Sequence, residues 1–349
     1  MKTPIQKILF GSPGTGKSYR IDNEIIPKFL GIDKKNHPEN VIKTVFHPEY
    51  TYGDFMGKLV PITTKASKVE YNFYEGHFLK ALSQAYKNIL KAYDKQGSQI
   101  SEINNVVLVV DEINRGNSSA IFGTVFQLLD RNDDGWSSYG INITEIEFLK
   151  LLQLIGTRFS YDEEGKIEYK LPPYATEGVK QLETLQKKID FLKFDLVEKI
   201  IRIPPNLSIL ATMNTSDNSI YFMDSAFKRR WDWEFVNWDD SVPETGTYGK
   251  AKNGTLDEDE WFNFIKRINN FIKSHHASVR GIEDKQIGKY FIKERPVTAE
   301  QIQNKLMFFL WDSVFNRDKR PLVELLGVTK NEIVTFGDFT KLHNDFVEK

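Results

Sequence analysis

An α/β fold built on a parallel sheet is predicted by three features of this 349-residue sequence. Residues Lys7 to Phe10 read as a short buried strand that runs into a glycine-rich string, Gly11 to Ser18, and then into a helix from Tyr19 to about Leu30. Residues Val106 to Val110 form a continuous apolar run rich in β-branched side chains, the pattern of a strand buried on both faces of a parallel sheet. Residues Leu207 to Met213 form a third buried strand.

The string Gly11-Ser12-Pro13-Gly14-Thr15-Gly16-Lys17-Ser18 fits G-x-x-x-x-G-K-[ST] with no departure. Its strand–loop–helix context makes it a candidate phosphate-binding loop. Gly11, Gly14 and Gly16 let the backbone turn tightly and aim its N–H groups at phosphate oxygens. The helix beginning near Lys17 adds its positive end. Lys17 is expected to reach the β- and γ-phosphates, and the Ser18 hydroxyl to hold Mg²⁺. Ser12, Pro13, Thr15 and the following Tyr19 complete the expected nucleotide-contacting set.

Further along, Val41 to Phe46 is a β-rich run, and residues 51–75 read as an inserted β-hairpin. Phe78 to Ala92 has helical periodicity, and Ser118 to Leu129 reads as the helix after the second buried strand. Residues 132–205 read as a helical insertion, with helical patterns over Ile143 to Ile155 and Val179 to Ile201 around a turn at Tyr161 to Gly165. Trp231, Trp233 and Phe235 alternate at period two and, with Trp238, read as a strand packing at the domain junction; Trp233 to Asp240 closes the first domain. Residues 244–256 resemble a linker. From Glu258 the chain is mainly helical, with Trp261, Phe264, Ile265, Ile268, Phe271 and Ile272 on one face. The expected division is a large α/β domain over 1–243 and a small helical lid over 244–349.

Composition narrows the function. Hydrophobic residues make up 40% and the net charge is −1, so a folded chain is expected with no overall basic excess to mark nucleic-acid binding. There are no cysteines, which excludes disulfides and thiolate metal sites. No apolar run reaches the length of a membrane span. The first strand begins within about ten residues of Met1, so no signal peptide is expected and the cytoplasm is the expected compartment. The His275-His276 pair has no metal-ligand partner at useful spacing and reads as surface.

The apolar run at 106–110 ends in two carboxylates, where ligands bind in open α/β sheets. Asp111 is expected to hold Mg²⁺, and Glu112 to orient and polarise the attacking water. Asn214, at the end of the third strand, is expected near the γ-phosphate. Lys228-Arg229-Arg230 puts three cations in a row; such a run also suits the C-terminal end of a helix.

Several stretches together resemble the AAA+ ATPases, and within them the McrB-type GTPase subunits of modification-dependent restriction systems. These are Asp111 to Asn117 (DEINRGN) with Ile121-Phe122-Gly123, Met213 to Asp217 (MNTSD), Phe46 to Gly57 with Tyr71 to Phe78, and Gln286 to Phe291. The likeness runs from about residue 8 to residue 312. Asn218 stands where the family signature often continues with arginine. The resemblance implies an AAA+ module, GTP preferred over ATP, and Mg²⁺. It implies nucleotide or intersubunit roles for Arg115 and Asp217, and trans-acting roles for Arg229 and Arg230. It further implies a homo-oligomeric ring, expected as a hexamer, that drives or translocates DNA for a McrC-like endonuclease. No nuclease motif is found in the chain and no DNA-binding domain precedes the motor, so DNA recognition is expected through the complex or a separate subunit. The alternatives are a MoxR-like, ATP-driven protein-remodelling factor and a non-hydrolysing assembly platform; Glu112 argues against the latter.

Overall fold

The computed structural model describes residues 3–63, 68–161, 163–215, 221–239 and 255–348. The chain divides into two compact units. The first comprises Met1–Ile8, Ser18–Met213 and Ser219–Trp233; the second comprises Leu9–Lys17, a short stretch beginning at Asn214, and the chain from Glu234 onward. The glycine-rich loop belongs to the second unit in this division.

Strand β1 (Gln6–Phe10) leads to helix α1 (Lys17–Arg20), which widens into π-helical turns over Ile21–Phe29. Strand β2 (Val41–Val45), the helical turn α2 (Tyr52–Phe55), the hairpin β3 (Gly57–Thr63) and β4 (Val69–Glu75), helix α3 (His77–Ala92) and strand β5 (Val106–Asp111) follow. Helix α4 (Ser118–Phe122) tightens into 3-10 turns over Gly123–Leu129. Next come β6 (Ile141–Asn142), α5 (Glu145–Ile155), β7 (Arg158–Tyr161), β8 (Ile167–Leu171), β9 (Ala175–Val179), α6 (Leu182–Lys188) and β10 (Ile200–Ile201). The stretch ends with β11 (Leu207–Met213), α7 (Ser225–Lys228) and β12 (Asp232–Phe235).

Five strands form one sheet in the order β12-β1-β11-β5-β2. Strands β11 and β2 both run parallel to β5, with Leu207 opposite Val106 and Val41 opposite Val107. Every residue from Val106 to Val110 is at most 2% exposed, so β5 is covered on both faces and its sequence has no need to alternate. Helix α3 buries Phe78, Leu82, Ala85, Tyr86 and Ile89 in the core of this unit. Phe122 gathers an aromatic cluster, with ring centroids 4.6 Å from Phe55, 5.1 Å from Phe227 and 6.1 Å from Trp231.

Two expectations need correction. The hairpin begins at Gly57, because Thr51 and Asp54 cap each other reciprocally and hold the preceding residues as a helical turn. Its tip, 64–67, lies outside the described residues. The 132–205 insertion is mixed rather than helical. Helix α5 is present, but β7, β8 and β9 form a three-stranded antiparallel sheet. Tyr169 and Leu171, two residues apart, are buried together, a strand period. Within 179–201 only α6 is α-helical, and β10 pairs with β6. Lys193 and Lys199 adopt φ of 52° and 55°, left-handed positions that interrupt a helix.

Arg131 ties the two ends of this insertion together. Its guanidinium donates to the carbonyls of Gly135 (3.0 Å), Ile203 (3.2 Å), Pro204 (3.2 Å) and Leu207 (2.9 Å). Loss of hydration pushes its pKa down to about 9, which leaves it charged at neutral pH.

The second unit is helical in its C-terminal part. Helix α8 (Glu258–Ser274) starts with a capping box between Asp257 and Glu260 and buries Trp261, Phe264, Ile265, Ile268 and Ile272. Short helices α9 (Ile282–Lys285), α10 (Ala299–Gln301), α11 (Arg320–Leu326), α12 (Phe336–Lys341) and α13 (His343–Glu348) follow, with π-helical turns over Ile302–Met307 and Leu310–Val314. The Phe346 ring lies 5.2 Å from Phe264 and 5.7 Å from Phe339, joining α8, α12 and α13. Most of the expected linker, 240–254, lies outside the described residues. Among the described residues no helix is long and apolar enough to cross a membrane.

Arg131→Met keeps the bulk of the side chain and leaves several carbonyls without a donor. It should lower unfolding stability by about 2 kcal/mol or more, measured by urea denaturation. A change within about 0.5 kcal/mol would show that the clamp does not hold the insertion.

Candidate nucleotide-binding site

In the second unit the glycine-rich loop is held from two directions. Lys17 is 8% exposed, and its Nζ donates to Gly11 O (2.9 Å), Ser12 O (2.8 Å) and Asn214 Oδ1 (2.9 Å). The loop also packs on the segment Gly288 to Phe291. The Gly288 N–H donates to Pro13 O at 3.0 Å and the Tyr290 N–H to Gly14 O at 2.8 Å. In a trans peptide the C=O and the following N–H point in opposite directions. The N–H groups of Gly14 and Thr15 therefore face away from this segment.

The close approach explains two of the glycines. Gly14 sits at φ +76°, and a Cβ there would lie 2.5 Å from the Phe291 nitrogen. Gly16 sits at φ +90°, and a Cβ would lie 2.9 Å from the Tyr290 ring. The Ser12 hydroxyl donates to Glu283 O, and Thr15 Oγ1 donates to Ser12 O at 3.1 Å. The packed segment is itself braced by α8. Asn269 is fully buried and exchanges two hydrogen bonds with the Ile287 backbone (2.8 and 2.9 Å), and Trp261 Nε1 donates to Lys289 O (2.9 Å).

The first unit holds the other candidate groups. Asp111 ends β5, and its Oδ1 accepts from Ser18 Oγ (3.2 Å) and from Thr212 Oγ1 (2.8 Å). Glu112 adopts φ +55°, a left-handed conformation that costs a non-glycine residue about 1–2 kcal/mol. Such strain is often kept where a side chain must be aimed. The Glu112 carboxylate lies 3.4 Å from Arg115 Nε. Asn114 is buried, and its carbonyl accepts from the Tyr221 N–H at 2.9 Å.

The donor set suits a hard cation. Among the described residues no cluster of three or more His, Asp or Glu side chains is present. Mg²⁺ at nucleotide sites takes one or two protein oxygens and completes its octahedron with phosphate oxygens and water. Ser18 and Asp111 fit that requirement.

The three cations at the end of α7 differ from one another. Arg230 is held in place: its Nε and Nη2 meet Asp130 Oδ2 at 3.0 and 2.8 Å, Nη1 donates to Ala226 O at 2.7 Å, and the guanidinium lies 4.6 Å from the Phe126 ring centroid. Lys228 Nζ lies 4.9 Å over the Phe222 ring. Arg229 is exposed, and its side chain has no hydrogen bond or ion pair among the described residues. Tyr19 is 56% exposed. Asp217 and Asn218 lie outside the described residues.

Sequence reasoning missed Thr212 and assigned no role to Tyr290. Thr212 is an isolated hydroxyl inside an apolar strand, one residue before the MNTSD stretch. Tyr290 is distant in sequence from the loop it covers. His275 is not a plain surface residue; its ring packs 4.4 Å from Phe271, and its Nε2 lies 3.4 Å from Glu324.

No protein-family model matches the chain. It is 28% identical over 354 aligned residues to the type II restriction enzyme BsuMI component YdiS of Bacillus subtilis (strain 168), covering 93% of this chain and 83% of the relative. It is 24% identical over 225 aligned residues to the type IV methyl-directed restriction enzyme EcoKMcrB subunit of Escherichia coli (strain K12), covering 64% of this chain. That match spans 33% of the McrB subunit's length. A P-loop motif, two carboxylates at the end of a buried parallel strand and these two relatives together point to an McrB-like AAA+ protein of the restriction-system kind.

Proposed function

We propose that the chain hydrolyses a nucleoside triphosphate, GTP in preference to ATP, as the motor subunit of a ring that drives a McrC-like endonuclease acting on DNA. The observation that carries this reading is the Asp111 carboxylate, bonded by Ser18 and followed at once by the strained Glu112. The names of both relatives come from restriction systems, which favours this reading over protein remodelling.

In this mechanism the loop N–H groups and Lys17 take the β- and γ-phosphates. Ser18 and Asp111 would hold Mg²⁺, which would supply charge neutralisation on the phosphate oxygens. Asn214 stays beside the Lys17 ammonium and orients polar groups at the γ-phosphate. Glu112 takes a proton from the attacking water as the water oxygen bonds to phosphorus and the bond to the β–γ bridging oxygen breaks. Arg115 lies beside Glu112, with its Nε 3.4 Å from that carboxylate. Arg229 is the better candidate to reach a neighbouring protomer, because Arg230 is committed to Asp130. Asp217 is kept as a candidate contact to nucleotide or neighbour.

Three measurements test this reading. Glu112→Gln should cut phosphate release by about 10²–10⁴-fold with nucleotide affinity retained, whereas Lys17→Ala should lose affinity in a fluorescent-nucleotide titration. Wild-type turnover by Glu112→Gln would remove Glu112 from the chemistry.

Steady-state turnover should be higher with GTP than with ATP, with the partner endonuclease subunit present and absent. Equal or higher ATP turnover would overturn the base preference, which rests on the MNTSD resemblance.

Arg229→Ala should lower turnover without changing the melting temperature, and mixing it with Lys17→Ala chains should restore part of the activity. Arg230→Ala should instead cost about 1–3 kcal/mol of stability by stranding Asp130. Loss of activity by Arg229→Ala with no recovery in confirmed mixed rings would rule out a role in trans.

A further inference from the structure

The second unit contains a small basic pocket that the nucleotide chemistry does not use. It has a volume of about 180 Å³ and is lined by residues after α8, in α9 and in the Ser313 to Asp318 turn. Arg280, Lys285 and Arg317 bring three positive charges to its wall. None of the three makes a hydrogen bond or ion pair among the described residues. The Ser313 hydroxyl and the Asn316 amide line the same space and also have no hydrogen bond there. Ser278 lines it too, but its hydroxyl donates to His275 O at 3.0 Å.

The pocket's one carboxylate does not cancel this charge. Asp318 is taken by Arg320, whose Nε and Nη2 reach its two oxygens at 2.9 and 2.7 Å. Those bonds pull the Asp318 pKa down to about 2, so it stays ionised and paired. The buried Val314 and Phe315 also line the space.

Size limits the ligand. At about 180 Å³ the space is smaller than the roughly 300 Å³ where small-molecule pockets begin. A whole nucleotide does not fit. A single tetrahedral anion does, with arginine forks and a hydroxyl to match its oxygens.

We propose that this pocket binds a phosphate group, and that its source is the phosphodiester backbone of DNA. The three cations neutralise one phosphate, while the polymer continues past the rim. The choice of DNA as the source rests on the restriction reading above; the anion chemistry does not.

The test compares the full-length chain with Arg280→Gln/Arg317→Gln and with the charge-keeping Arg280→Lys/Arg317→Lys. Binding to a short fluorescent duplex is followed by anisotropy over a salt series, and binding of inorganic phosphate by calorimetry. The Gln pair should lose about tenfold or more in DNA affinity, and its slope of log K against log salt should be shallower by about 1. The Lys pair should keep most of both. GTP hydrolysis without DNA should be unchanged in both variants, as should the melting temperature.

An unchanged slope and affinity in the Gln pair overturns the DNA assignment, as does a wild-type chain that does not bind the duplex. If the Gln pair loses only inorganic-phosphate binding, the pocket takes free phosphate and the DNA source is wrong. If neither ligand responds, the cluster is solvated surface and the site is withdrawn. A chain that hydrolyses no nucleotide but shows the slope change keeps this site and overturns the motor reading instead.

Discussion

Asp111 Oδ1 is the point on which the first unit's candidate chemistry depends. One oxygen accepts from Ser18, the second residue of α1, and from Thr212, in β11. Parallel pairing of β5 with β11 brings the two strand ends level, so this bond follows from sheet register and not from local sequence. Slipping the register by one residue would change which side chains sit at the strand end. Glu112, the next residue, is turned out of the strand into a left-handed conformation. The buried strand thus supplies rigidity, and the strained residue after it supplies direction.

The second unit solves a different problem. A glycine-rich loop has too few side chains to hold its own shape. Here backbone meets backbone: Gly288 and Tyr290 donate to the Pro13 and Gly14 carbonyls. The glycines serve both the turn and this approach, since a Cβ at Gly14 would meet the Phe291 backbone. Helix α8 then fixes the segment through Asn269 and Trp261. A polar side chain as fully buried as Asn269 needs its partners, and it finds both in the backbone of Ile287, directly before the segment.

The neighbouring arginines at the end of α7 show how little adjacency says about role. Arg230 spends its guanidinium on Asp130 and on the Phe126 face, and Arg229, one residue earlier, projects to solvent. A 100° rotation per residue around a helix separates a brace from an available cation. The basic pocket repeats the lesson at longer range. Arg280, Lys285 and Arg317 are scattered in sequence, and no charge run marks them.

The sequence by itself determined the buried parallel strands and the helical character of the C-terminal residues, and it marked the glycine-rich loop and the paired carboxylates after Val110 as candidates. Each is local: a short run of side chains with its own period or a glycine spacing set by backbone sterics. It misread 158–179, where short strands carried too few residues to show their period against helical neighbours. It also misread 51–56, where one capping box outweighed β-propensity. Tertiary structure alone decided that Thr212 shares Asp111, that Tyr290 covers Gly16, that Arg131 clamps both ends of the insertion, and that Arg229 and Arg230 part company. All four are contacts between residues distant in the chain, or depend on one, and they arise only when sheet register and helix packing bring those residues together.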